Sequence, residues 1–382
     1  MTKLLILTAS YGEGHNAAAR NLGAAAGDLA GPGSATVVDL FRLGAPRADR
    51  VARAAYLAAI NRAPRLWSAF YRWIDRHRVF PRHLWLVRGA SRALPAVVRR
   101  EQPDVIAATY PLYGFLLERL ARAGRLAAPF FNVVTDSLSI NSLWTRPDCA
   151  GWFVPNEETA AVMRARGVPA DRLHALGFPV PAFFHDHAAD LAPPDLAGGA
   201  APRVLFIIHS GVRQAADTAR RLLAEPGWAV TLAVGRDERL RRRLAPLAAG
   251  RPVPARVLGW TDEVPRLLMT HHVVLSKAGG ATTQEAIAAR CPMVVTQIVP
   301  GQEEGNYELL RRHGAGALAG TPDAALAALR QAFADRGAVW SRWRAALEPL
   351  ARPDASRAIA SRLFFPHGDG SRRAAHEDPL HL

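Results

Sequence analysis

Residues 273–306 read VVLSKAGGATTQEAIAARCPMVVTQIVPGQEEGN, and the order of patterns within them decides the fold. Val273–Ser276 is a short, mostly apolar run that stops at turn residues, the pattern of a strand buried on both faces. Gly279 and Gly280 then allow a sharp turn, and small residues continue as a helix. Met293–Ile298 repeats the strand pattern, and the polar loop Pro300–Asn306 follows it. Strand, glycine turn, helix and strand make the βαβ unit of a parallel sheet, so both loops fall at the same sheet edge.

The same alternation extends towards the N-terminus. Lys3–Thr8 (KLLILT) predicts a buried strand, followed by a glycine-containing turn and an alanine-rich helix over about Asn16–Leu29. Thr36–Leu40, Asp104–Thr109, Phe130–Thr135 and Gly151–Val154 predict further strands. Asp186–Pro202, rich in Pro, Gly and Ala, breaks the pattern; Arg203–His209, Trp228–Val234 and Arg256–Gly259 then restart it. The economical reading is α/β: two doubly wound domains, residues 1–185 and 203–365, joined by a linker over 186–202. The last helix is expected to pack back on the first domain, and the polar residues 366–382 to form a flexible tail. Such a pair leaves a cleft between the carboxyl ends of its strands, where ligands of open α/β sheets bind.

Composition narrows the class. The chain has 382 residues, 49% hydrophobic and 21% charged, which suits two packed cores and excludes a disordered polymer. Cys149 and Cys291 lie far apart without a CxxC partner, and read as reduced, buried thiols of a cytoplasmic protein. No run approaches the roughly 20 apolar residues that span a bilayer. The formal charge of +15 is unevenly placed, with eleven Arg and one acid, Asp75, between Val51 and Arg100. A field of this kind favours a polyanion, and the absence of a recognisable nucleic-acid module points to anionic lipid.

Three turns carry polar residues suited to phosphate and sugar chemistry. Ser276–Ala286 sets two glycines and then hydroxyls at a helix start, where free N–H groups and the positive dipole end cradle phosphate. It is not a Walker A loop, because Lys277 precedes the glycines. Thr282 and Glu285 also have the spacing of a capping box, which would engage Glu285 with a backbone N–H instead. Gln302, Glu303 and Asn306 can face the same ligand, or form a solvated acidic loop. In Ser10–His15 (SYGEGH), Gly12 and Gly14 let another group approach the backbone, and His15 opens a helix whose dipole disfavours imidazolium. A neutral imidazole there suits proton acceptance from a hydroxyl, while a plain turn with a histidine cap fits the same spacing.

Three segments together, TASYGEGHNAAA (residues 8–19), VVTDSLSINSLW (133–144) and SKAGGATTQEAIAARCPMVVTQIVPGQEEGN (276–306), resemble the monogalactosyldiacylglycerol synthases and bacterial processive diacylglycerol glucosyltransferases. These are relatives of the peptidoglycan enzyme MurG. The resemblance implies a GT-B fold and an inverting transfer of hexose from UDP-galactose or UDP-glucose to diacylglycerol, with no cofactor and no obligate metal. On matching positions, Gly279, Gly280 and Thr282 would meet the diphosphate and Glu285 the ribose hydroxyls. Gln302 and Glu303 would bind the donor sugar, with Gly301 and Asn306 in the same loop. Gly259, Trp260 and Thr261 would read the base, and Gly12 and Gly14 would form the loop facing acceptor or phosphate. His15 takes the place of the catalytic base. Asp136 falls on the Val-Thr-Asp motif and would assist that base, though a turn cap is an equal reading.

Two positions depart from the family pattern: Ala278 stands where Pro is common, and no His precedes Trp144. The start of the chain, with no long extension, suggests a bacterial rather than a plastid type. A MurG-like transfer of N-acetylglucosamine to a polyprenyl-linked acceptor, a nucleotide-sugar epimerase and a non-catalytic binder of anionic lipid are the competing readings. Leu66, Trp67, Phe70, Tyr71 and Ile74 recur at helical spacing beside Arg65 and Arg72. With Trp73, they predict either an interfacial helix on the inner face of the cell membrane or a core stripe with a solvated Arg face.

Overall fold

The computed structural model describes residues 2–62, 85–209, 214–299, 301 and 303–366. The proposed membrane-facing residues Arg65, Trp67, Phe70, Tyr71, Arg72 and Trp73 lie outside them, as do Gln302 and the chain beyond Pro366.

The first sheet holds β1 (Leu4–Thr8), β2 (Ala35–Asp39), β3 (Val105–Ala108), β4 (Phe130–Val133), β5 (Gly151–Phe153) and β6 (Leu173–His174). The second holds β7 (Arg203–Ile207), β8 (Ala229–Ala233), β9 (Ala255–Leu258), β10 (Val273–Lys277), β11 (Met293–Gln297) and β12 (Gly316–Leu318). The orders are β2-β1-β3-β4-β5-β6 and β12-β11-β10-β7-β8-β9, and the pairings are parallel. Each chain path therefore reverses once, between β1 and β3 in the first sheet and between β7 and β10 in the second. At such a switch point the loops leave in opposite directions and open a crevice.

The helices that shape the cleft are α1 (Glu13–Ala30), α2 (Pro46–Arg62), α3 (Trp85–Glu101), α4 (Pro111–Arg122), α5 (Gly280–Ala288), α6 (Glu304–His313), α7 (Pro322–Leu347) and α8 (Ala355–Phe364). Apolar side chains cover both faces of each sheet, as the continuous strand patterns require. Leu5, Leu7 and Ile106 join Phe41, Tyr113 and Leu117 on one face of the first sheet. On its other face Leu4 and Ile6 meet Leu22 of α1 and Ile359 and Leu363 of α8. The final helix thus returns to the first domain. Each such buried side chain contributes about 1.5–3 kcal/mol of burial, and Ser356 adds a 2.6 Å hydrogen bond to the Val180 carbonyl.

The segment between the sheets is tied down. Leu196 is buried, and the Pro194 carbonyl accepts from His272 Nε2 at 2.8 Å. Opposite Leu196, α7 bends at Ala334–Gly337, three of whose residues are left-handed; a Cβ on Gly337 would lie 2.7 Å from Leu196. Cys149 and Cys291 are free and buried. Among the described residues no helix is long and apolar enough to cross a membrane.

Candidate active site

At the first switch point, β1 runs into a turn whose Gly12 caps α1 at φ +111°, a conformation that side chains other than glycine's rarely adopt. This turn sets the His15 ring against the end of β3. Nδ1 lies 2.7 Å from the Thr109 carbonyl oxygen and 2.8 Å from the Thr135 hydroxyl. A carbonyl oxygen only accepts, so Nδ1 carries the hydrogen and Nε2 keeps its lone pair. Burial pushes the imidazole pKa down to about 4, against a smaller upward pull from the bond to Thr109. Desolvation is thus the main cause of the neutral ring that the helix dipole suggested. Tyr110 packs edge-on against it at 5.0 Å.

Among the described residues no hydrogen bond joins Asp136 to this histidine. Its carboxylate accepts the Trp144 indole N–H at 2.7 Å, and burial raises its pKa to about 6. Nor does it cap the next turn, because Asn141 caps the short helix 142–145 through the Leu143 N–H at 2.9 Å. Thr109 and Thr135 hold His15 instead.

At the second switch point, β10 turns through Gly279, the N-cap of α5, which has no side-chain cap. The first helical bond is Thr283 N–H to the Gly279 carbonyl at 2.9 Å. The amides of Gly280, Ala281 and Thr282 precede it and are left for an anion. Thr282 is the third helical residue rather than the cap, so the capping-box spacing with Glu285 is coincidental. Glu285 faces the cleft, its pKa raised to about 7 by burial, with Arg20 opposing and Glu13 reinforcing the shift.

Lys277 pairs with Glu303, whose other oxygen accepts the Val299 N–H at 2.9 Å. Glu303 is thereby fixed as well as cleft-lining. Asn306 donates to the Ala278 carbonyl at 3.0 Å and lines the cavity, and its buried Oδ1 has no partner among the described residues. Gly301 is buried and is not among the lining residues. Gly259, Trp260 and Thr261 follow β9 at the far side, with Trp260 71% exposed.

These parts enclose one cavity of about 1130 Å³. Its second-domain wall carries the Gly279–Thr282 turn, Lys277, Glu285, Glu303 and His209, beside the apolar Ile207, Ile208, Val264 and Val299. Its first-domain wall has an apolar stretch, Phe41, Ala52, Tyr56, Val87, Leu112 and Leu143, beside Glu13, Arg20 and Asp136. His15 lies between the two. The walls meet closely: a Cβ on Gly14 would stand 3.7 Å from the Ala281 nitrogen, and Gln284 donates to the Ser137 hydroxyl at 2.9 Å. A Cβ on Gly305 would fall 1.7 Å from the Ser137 carbonyl oxygen, so only glycine fits there.

The sequence model described as monogalactosyldiacylglycerol (MGDG) synthase matches residues 15–180, the domain that carries His15 and Asp136. Over that domain the chain is similar to these synthases. A processive diacylglycerol beta-glucosyltransferase of Bacillus cereus (strain AH187) is 25% identical over 319 residues, 82% of this chain and 81% of that protein. The Bacillus cytotoxicus enzyme of the same name is equally similar. Among solved structures, Acinetobacter baumannii MurG superposes with a TM-score of 0.59 at 12% identity, covering 95% and 99% of the two chains. S. aureus MnaA with UDP gives 0.61 at 13%, covering 96% and 97%. At that identity the likeness is one of fold: two facing α/β domains of the GT-B kind.

The cavity gathers His15, Gly12, Gly14, Asp136, Gly259, Trp260, Thr261, Gly279, Gly280, Thr282, Glu285, Glu303 and Asn306, all expected from sequence. Thr109, Tyr110, Thr135, Lys277 and His209 were not expected. A common signal would have found them, since each ends or closely follows a strand of a parallel sheet, the edge where ligands bind. Among the described residues no group of His, Cys, Asp or Glu could hold a metal ion.

Proposed function

We propose that this protein is an inverting glycosyltransferase that moves a hexose from a UDP-sugar to the hydroxyl of diacylglycerol at a membrane surface. The observation that carries this reading is His15, neutral and with a free Nε2, set between an anion-ready helix start and an apolar wall. The similar Bacillus proteins, diacylglycerol glucosyltransferases by name, agree with it.

In this mechanism Nε2 takes the proton of the acceptor hydroxyl as its oxygen attacks the anomeric carbon. The bond from that carbon to the diphosphate oxygen breaks on the opposite side. The charge that develops on the leaving group meets the Gly280, Ala281 and Thr282 amides and the positive end of α5. Lys277, held by Glu303, supplies a nearby cation, so the reading includes no metal ion, and EDTA should leave the rate unchanged. Glu285 binds ribose hydroxyls, and Glu303 and Asn306 receive the sugar. The apolar wall takes the glyceride, and the field of the arginine-rich stretch draws the protein to anionic lipid.

A UDP-hexose assay with diacylglycerol vesicles tests the reading, with mass spectrometry of the lipid product. Hexosyl-diacylglycerol is expected. Turnover of a UDP-sugar without vesicles would replace it with an epimerase, whose fold is shared.

A further inference from the structure

The second sheet contains a histidine that the proposed mechanism leaves unused. His209 follows β7 by two residues and lines the cavity. Because β7 pairs with β10, His209 and the Lys277–Gly280 turn leave neighbouring strand ends, on either side of the switch point. The expected base-reading segment, Gly259–Thr261, follows β9 on one flank, and Glu303 and Asn306, at the start of α6, follow β11 on the other. Whatever joins a base to a sugar must pass over β7 and β10.

The ring's hydrogen can be placed. His209 Nε2 lies 3.1 Å from the hydroxyl of Ser276, which is fully buried. Among the described residues the buried Ser276 hydroxyl hydrogen has no other acceptor, which favours Ser276 as donor and Nε2 as acceptor. The neutral ring then carries its hydrogen on Nδ1, and no described residue accepts it. Burial, with Lys277 adding to it, pushes the imidazole pKa down to about 4, so the ring remains neutral at physiological pH.

We infer that His209 donates its Nδ1–H to the diphosphate of the donor nucleotide, beside the amides of Gly280–Thr282. The inference rests on the donor being a nucleoside diphosphate sugar, as proposed above. Ser276 acts as a positioning residue, because it fixes the tautomer. A hydrogen bond to a charged oxygen is stronger than a neutral one, and its loss corresponds to about tenfold or more in affinity.

Two near-isosteric substitutions separate the ring nitrogens. The amide nitrogen of Asn can occupy the place of Nδ1, whereas the end of Gln reaches the place of Nε2. Calorimetry would compare uridine and UDP binding to wild type, His209→Asn and His209→Gln, after thermal unfolding shows that all three are folded. In wild type and His209→Asn the gain from uridine to UDP should agree within about threefold. In His209→Gln it should shrink about tenfold, with uridine affinity unchanged. An unchanged gain in the Gln variant, or equal losses in both, overturns the Nδ1 contact while the transferase reading stands. Wild type that fails to bind UDP removes both.

Discussion

Each sheet holds a neutral histidine at its switch point, and the two are wired in opposite senses. His15 gives its Nδ1–H to the Thr109 carbonyl and keeps a lone pair on Nε2. In the tautomer inferred above, His209 accepts the Ser276 hydroxyl at Nε2 and keeps a hydrogen on Nδ1. Burial suppresses the charge of both, with pKa values of about 4. One side chain in two similar places thus becomes a proton acceptor or a proton donor according to its neighbour. The walls follow the same division: an apolar side where a hydroxyl would be activated, and a polar side where phosphate would be held.

The largest expected effect breaks the first half of that pair. His15→Ala should slow transfer about 10²- to 10⁴-fold, while UDP affinity measured by calorimetry stays within about twofold. Loss of UDP binding instead would move His15 to the donor side.

Glu285 tests the polar wall through stability. Its folded pKa of about 7 lies above the ordinary carboxylate value, so the ionised form is disfavoured in the folded state. The cost is absent below about pH 4.5, grows as pH rises to about 7 and is constant above. Glu285→Gln should therefore stabilise the free protein by about 1–3 kcal/mol at pH 8, and by nothing at pH 4. Urea unfolding at the two pH values checks it, and a variant destabilised at pH 8 contradicts the burial account.

Filling the apolar wall sharpens the division. Ala52→Trp on α2 should raise KM for vesicle-borne acceptor about tenfold, about 1.4 kcal/mol, and leave UDP affinity unchanged. Equal losses for both ligands would mean that the walls are not separate sites.

The smallest effect concerns pH. In free enzyme His15 titrates near 4, so kcat/KM should hold down to about pH 4.5 and then fall. Bound diphosphate brings negative charge close to the ring and favours its protonated form, so the acid limb of kcat should lie at higher pH than that of kcat/KM. Coincident limbs would place the diphosphate away from His15.

The polar side was the legible one. Its residues cluster in two loops after successive strands, where glycines and hydroxyls at a helix start have a local physical meaning. The apolar wall was not legible, because Phe41, Ala52, Tyr56, Val87, Leu112 and Leu143 come from separate elements and look individually like core residues. His15 was visible, but its partners Thr109 and Thr135 lie 94 and 120 residues away and meet it only through strand order. The strands β6 and β12, two and three residues long, carry too little pattern to be read. Proximity to a motif likewise did not reveal that Asp136 accepts the Trp144 indole N–H.

The central claim is that the two walls serve different ligands, with a nucleotide diphosphate seated on the start of α5. Titrating UDP into isotope-labelled protein while following backbone amide resonances tests it most directly. The account predicts large shifts at Gly280, Ala281 and Thr282, and little change at Ala52 and Ala55 across the cavity. Undisturbed signals at the helix start, or shifts centred on α2, would contradict it.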